Sequence, residues 1–143
     1  MKLPHPPEPV GHYQAVSIRR GLGFVSGQFP LVNGVLIHSG KIGSELSEKD
    51  AFEAIRLTSY NVLSQISHVT DNFKDLDGIL RLEGHLACAE GFKNYMSLMD
   101  ESSRIFNEYL DKKGSHSRSL FLYERLPLDS PIELCASFLL TDY

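Results

Sequence analysis

Apolar positions along this chain follow two periods in alternation. Residues 13–20 alternate weakly and read as a strand, and 22–27, centred on Phe24 and Val25, as a second. Asn33-Gly34 stands between the apolar runs 30–32 and 35–37, the strongest short hairpin signal, because a type I′ turn needs positive φ at both positions. At Ser47 the period lengthens. Ser47 and Asp50 form a capping box with Asp in place of Glu, and Ala51, Ile55, Thr58, Val62 and Ile66 follow at helical spacing. That helix should fade at 68–71. Residues 76–89 read as a long strand. A second helix is expected over 95–113, with Phe92, Met99, Phe106 and Leu110 marking its apolar side. Lys112-Lys113-Gly114 reads as its stop, with cations facing the terminal dipole and glycine in the left-handed region. Strands over 118–126 and 132–140 close the chain.

This order predicts an α+β fold, a mixed sheet with two helices on one face. The runs 120–123 and 138–140 are apolar on both sides, so the second sheet face needs a cover. Another copy of the same sheet is the simplest, which predicts a homo-oligomer.

The chain has 143 residues and reads as one domain, 1–143, led by a proline-rich arm over 1–10 that holds four of the seven prolines. The arm should be extended and pack on the surface or on a neighbouring subunit. It has no apolar signal-peptide core, and no stretch approaches the roughly 20 apolar residues of a membrane span, so a cytoplasmic location without membrane contact is expected. The net charge of −4 argues against nucleic acid as main partner. Cys88 and Cys135 read as two buried, reduced thiols.

Little of the sequence carries recognisable chemistry. In the run 21–27 the third glycine falls one residue late for G-x-G-x-x-G, and Gln28-Phe29-Pro30 cannot open a helix. The six histidines are scattered without i, i+3 or i, i+4 pairs, and no G-x-S-x-G elbow is present. Neither a metal nor another cofactor is expected. Arg118 and Glu133 remain. A guanidinium is a permanent charged fork that fits a carboxylate. Arg118 stands at the mouth of an apolar strand, and Glu133 follows fifteen residues later. The two either form an ion pair between the last two strands or face a ligand.

Tyr13, fourteen residues before Gly27 in Phe24-Val25-Ser26-Gly27-Gln28, resembles the opening of the YjgF/RidA family, the reactive-intermediate deaminases also labelled endoribonuclease L-PSP. Arg118-Ser119, Leu126-Pro127 and Pro131-Ile132-Glu133-Leu134 are similar to that family's closing signature. Arg81-Leu82-Glu83-Gly84 and Gly91-Phe92 are similar to a divergent subgroup. The resemblance covers nearly the whole chain beyond the arm. It implies a chorismate-mutase-like fold, a homotrimer with inward-facing sheets, and three clefts between subunits. It further implies that Arg118 grips the carboxylate of a 2-imino acid or its enamine tautomer, that Glu133 positions or activates water, and that no cofactor takes part. Tyr13, Ser26, Gly27, Asp100 and Leu120 would line the cleft. Three positions depart from the pattern: His116 replaces a proline, Asp100 an asparagine, and Cys135 the second acid of Glu-x-Glu.

Three functions stay open. One is a deaminase converting imino acids to 2-keto acids and ammonia. The second is a non-catalytic trimer that captures a small carboxylate. The weakest is an endoribonuclease, for which the acidic chain lacks a basic-aromatic stripe.

Overall fold

The computed structural model describes residues 2–142, so Met1 of the arm lies outside it. The strands, in chain order, are β1 (Val16–Arg19), β2 (Leu22–Gln28), β3 (Leu31–Val32), β4 (Val35–Leu36), β5 (Leu76–Ala87), β6 (Ser117–Tyr123) and β7 (Ile132–Leu140). Helix α1 (Glu48–Val69) precedes β5 and α2 (Tyr95–Leu110) follows it. The chain forms an α+β fold with a mixed five-stranded sheet ordered β1-β2-β7-β5-β6, and β3 and β4 form a separate hairpin. β5 and β6 run parallel on either side of α2, while the other neighbours in the sheet are antiparallel.

Local chemistry accounts for most boundaries. Asn33 and Gly34 both take positive φ, as the tight turn between β3 and β4 demands. The Ser47 hydroxyl accepts from the Asp50 amide while the Asp50 carboxylate accepts from the Ser47 amide, so the predicted capping box is present. All five predicted stripe residues of α1 are buried. Three boundaries fall short of the sequence reading. β1 begins at Val16, β5 ends at Ala87 and β6 ends at Tyr123.

The end of α2 differs in kind. The α-helix stops at Leu110, and 111–114 tighten into a 3₁₀ turn. Asp111, not Gly114, takes the positive φ there. Gly114 is required for another reason: a Cβ at this position would lie 2.1 Å from the Phe106 carbonyl oxygen.

Both helices pack on one face of the sheet. Val25, Leu82, Leu86, Leu134 and Phe138 meet Ile55, Val62 and Ile66 of α1 and Met99 and Phe106 of α2 in one buried cluster. The Ser59 and Ser102 hydroxyls, 2.7 Å apart, tie the helices together. The proline arm lies against α1 of its own chain: Ser64 donates to the Pro4 carbonyl at 2.5 Å and Gln65 to that of Pro7 at 2.7 Å.

No helix covers the other face. Phe24, Phe121 and Tyr123 stand exposed on it, Phe24 at 54%. Beside them the alternation of β5 and β7 presents Arg81, Glu83, His85, Glu133, Cys135 and Ser137.

Candidate functional site

The two residues singled out by charge do not meet. β6 and β7 are not neighbours, since β5 runs between them, and Arg118 aligns through Leu82 with Ala136 rather than Glu133, so two strand spacings sideways and three residues lengthwise set the two ~14 Å apart. They also project from opposite faces. Arg118 aligns with buried Leu82 on the helix side, whereas Glu133 aligns with His85 on the open side. An ion pair joining the last two strands is therefore excluded within one chain.

Arg118 has partners on α2 instead. Its Nη2 lies 2.7 Å from Asp100 Oδ1, and its Nη1 donates to Ser103 Oγ at 3.0 Å. Ser103 also lies 2.9 Å from His116 Nε2, and His116 Nδ1 lies 2.5 Å from the Gly114 carbonyl. A carbonyl can only accept, so Nδ1 carries the hydrogen. In the neutral ring Nε2 then receives the Ser103 hydroxyl, whose oxygen remains open to Arg118. The chain of hydrogen bonds thus runs from Arg118 through Ser103 and His116 to Gly114. His116 holds Ser103 in place, a task that a proline at this position could not perform. Asp100 sits in the second turn of α2 and makes no cap with Ser97; its carboxylate serves Arg118.

The pair is not sealed. The Asp100 side chain is 70% exposed and that of Arg118 23%. Exposed ion pairs contribute about 0–1 kcal/mol, so an arriving carboxylate can displace Asp100 at small cost. Leu120, two residues along β6, packs at the margin of the core on the same side.

A second group gathers at the β2 end of the open face. A Cβ at Gly27 would lie 1.9 Å from Glu133 Oε2, so the glutamate holds this position only while glycine faces it and any larger residue would push the carboxyl aside. Burial raises the Glu133 carboxyl above the ordinary glutamate range, with His85 opposing. Ser26 Oγ donates to the Gln14 carbonyl at 2.7 Å, which fastens the segment carrying Tyr13. Tyr13 and Gly27 border one small depression. The predicted site residues therefore fall into two sets, Arg118, Asp100 and Leu120 at the β6 edge and Tyr13, Ser26, Gly27 and Glu133 toward β2.

Between these sets lies a group that sequence reading passed over. Glu83, His85 and Cys135 bring a carboxylate oxygen, a ring nitrogen and a sulfur within 4.8 Å of one another. Arg81 Nε donates to Glu83 Oε1 at 3.0 Å, and its Nη2 to Ser119 Oγ at 2.6 Å. His85 stacks on Phe121, and its Nδ1 lies 3.2 Å from the Tyr123 hydroxyl. A search at helical spacings misses such a group, because residues sharing a strand face stand at i, i+2. Both cysteines are free, as expected, but only partly buried. Burial pushes the Cys88 thiol up to about 11; burial, then Glu133 and Glu83, push Cys135 up to about 12.

No helix among the described residues is long and apolar enough to cross a membrane. No curated protein sequence matches the chain. Among solved structures, an endoribonuclease-labelled protein from Shewanella oneidensis is 26% identical, with a TM-score of 0.91 over 97% of this chain and 92% of its own. A protein of unknown function from Agrobacterium tumefaciens is 23% identical, with a TM-score of 0.84 over 90% of this chain and 82% of its own. TdcF of Escherichia coli, solved with bound serine, is 19% identical, with a TM-score of 0.69 over 96% of this chain and 92% of its own. The family model described as "YjgF/chorismate mutase-like, putative endoribonuclease" matches residues 1–143. On that full-length match the chain belongs to the YjgF/chorismate mutase-like family.

Proposed function

We propose that the protein hydrolyses 2-imino acids, or their enamine tautomers, to 2-keto acids and ammonia in a cleft shared by two copies of the chain. The observation that carries this reading is the Glu133 carboxyl, half-buried against Gly27 on an uncovered sheet face, with its proton affinity raised by burial. Such a group can take a proton from water near neutral pH. Water attacks the carbon of the protonated C=N while Glu133 takes one of its protons and returns it to nitrogen; the C–N bond of the carbinolamine then breaks as its hydroxyl oxygen closes to the keto carbonyl and gives its proton to Glu133, and ammonia leaves. Arg118 anchors the substrate carboxylate in place of Asp100. Because Arg118 and Glu133 point to opposite faces, a substrate touching both needs them from different copies. That a fold relative binds serine, another small carboxylate, agrees with this substrate class.

The test generates 2-imino acids in situ from amino acids with an amino-acid oxidase and follows loss of the imine. Glu133→Gln should lower turnover by about 10²-fold or more, the usual contribution of a positioned acid–base group, and Arg118→Ala by a similar ~10²-fold through loss of substrate positioning. Wild-type protein no faster than buffer with several imino acids overturns the proposal.

The Asp100–Arg118 pair favours a second reading, a carboxylate-binding protein without turnover. In that case calorimetry with 2-oxobutanoate gives saturable binding, strengthened by Asp100→Asn, while no imine is consumed.

A further inference from the structure

We propose that Glu83, His85 and Cys135 form a binding site for one zinc-class divalent cation per chain. The site stands apart from the imine chemistry, and either can fail alone. Its basis is register. β5 and β7 are antiparallel neighbours at the centre of the sheet, and Glu83 lies directly opposite Cys135. His85 follows Glu83 at i, i+2 on the same face. The three side chains therefore converge from two rigid strands, not from loops.

The ligand atoms lie within 4.8 Å of one another. A tetrahedral ion bonded at about 2.0–2.3 Å needs its ligands roughly 3.3–3.8 Å apart, so the group closes by about 1 Å. His85 Nε2 and Glu83 Oε2 face each other at 3.9 Å, too far for a hydrogen bond. Both are held from behind. Tyr123 engages His85 at its other nitrogen, Nδ1, and Phe121 fixes the ring plane. Arg81 takes the other oxygen of Glu83, Oε1. Such outer partners orient metal ligands and fix the histidine tautomer.

The donor set selects the ion. Sulfur, imidazole and one carboxylate suit zinc and its neighbours, whereas magnesium and calcium require oxygen shells. Charge agrees. A bound cation would take Cys135 as the thiolate, its proton leaving to solvent, and would offset that charge together with the one on Glu83, which Arg81 of the same strand already faces. A depression of about 100 Å³, lined by Phe24, Arg81, Glu83, Cys135 and Ser137, reaches two of the three ligands from the open face. Three protein ligands leave a fourth position for water or a group from another copy. The other convergent group, His38, Asp50 and Glu53, lacks a thiol, and its Asp50 already caps α1.

The test loads purified full-length protein with Zn²⁺, dialyses it and measures metal per chain. One tightly held zinc per chain is expected. Cys135→Ser and His85→Ala should each abolish it, Tyr123→Phe should weaken it about 10-fold or more, and Cys88→Ser and His38→Ala should leave it unchanged. Co²⁺ on the wild type should give thiolate-to-cobalt charge-transfer absorption, a readout that needs no variant to fold. Absence of that band, less than one ion per chain at saturation, or zinc retained by folded Cys135→Ser overturns the site.

Discussion

Glu133 shows most clearly how one residue's surroundings set its chemistry. Its carboxyl is raised because burial against Gly27 disfavours the charged form. The sign of the consequence follows. The folded chain holds this proton more tightly than the unfolded chain does, so Glu133 favours folding most below the unfolded value, about 4.3. That advantage is lost as pH rises through the higher folded value, and at neutral pH the residue opposes folding. Glu133→Gln should therefore raise the melting temperature at pH 7, and the difference should shrink as pH falls below about 4. Thermal melts across that range, with chelator present, check this. A variant less stable than wild type at pH 7 contradicts it. Catalysis should fall in the same variant, so stability and turnover should move in opposite directions, as expected when a residue is kept for function. Gly27 belongs to the same argument. Gly27→Ala should lower turnover by displacing the Glu133 carboxyl, measured with Arg118 untouched.

At the scale of elements, the chain's own patterns explain what could be read in advance. Local signals carried α1, the Asn33-Gly34 hairpin and β7, because caps, turns and periodicity depend on neighbours in sequence. Ser47→Ala should cost about 1 kcal/mol in urea unfolding, the usual loss for a helix cap. Sequence alone could not place β5 between β6 and β7. That order depends on pairing between residues 36 positions apart for β5 with β6 and up to 64 apart for β5 with β7, and with it went the supposed Arg118–Glu133 pair. The same limit hid Glu83, His85 and Cys135, which converge only once β5 and β7 are in register. Gly114 was legible as a helix stop but for the wrong reason. Its role is close approach to the Phe106 carbonyl, a contact that no spacing rule reveals. Gly114→Ala should therefore destabilise by about 1–3 kcal/mol, as overpacking does. If left-handed backbone alone were the issue, Gly114→Asn would be tolerated; here it should fail as well.

For the whole molecule, the decisive question is whether the two half-sites complete each other across copies. The open face supplies the surface: Phe24 on β2 and Phe121 and Tyr123 on β6 are exposed toward opposite sides of it, and full burial of a large apolar side chain contributes about 1.5–3 kcal/mol. Phe24→Glu should shift the assembly toward monomer in sedimentation velocity and reduce turnover with it. The sharper test is complementation. Arg118→Ala and Glu133→Gln chains, each inactive alone, are co-expressed with different tags and isolated as mixed oligomers. A cleft regains both groups only where an intact arginine adjoins an intact glutamate from the next copy, and a three-membered ring that contains both variants has about one such cleft in three. Mixed oligomers should therefore recover roughly a third of wild-type turnover. If both groups acted from the same chain, every cleft would lack one of them and mixing would restore nothing. That zero would remove the shared cleft while leaving the fold, the family and the metal site intact.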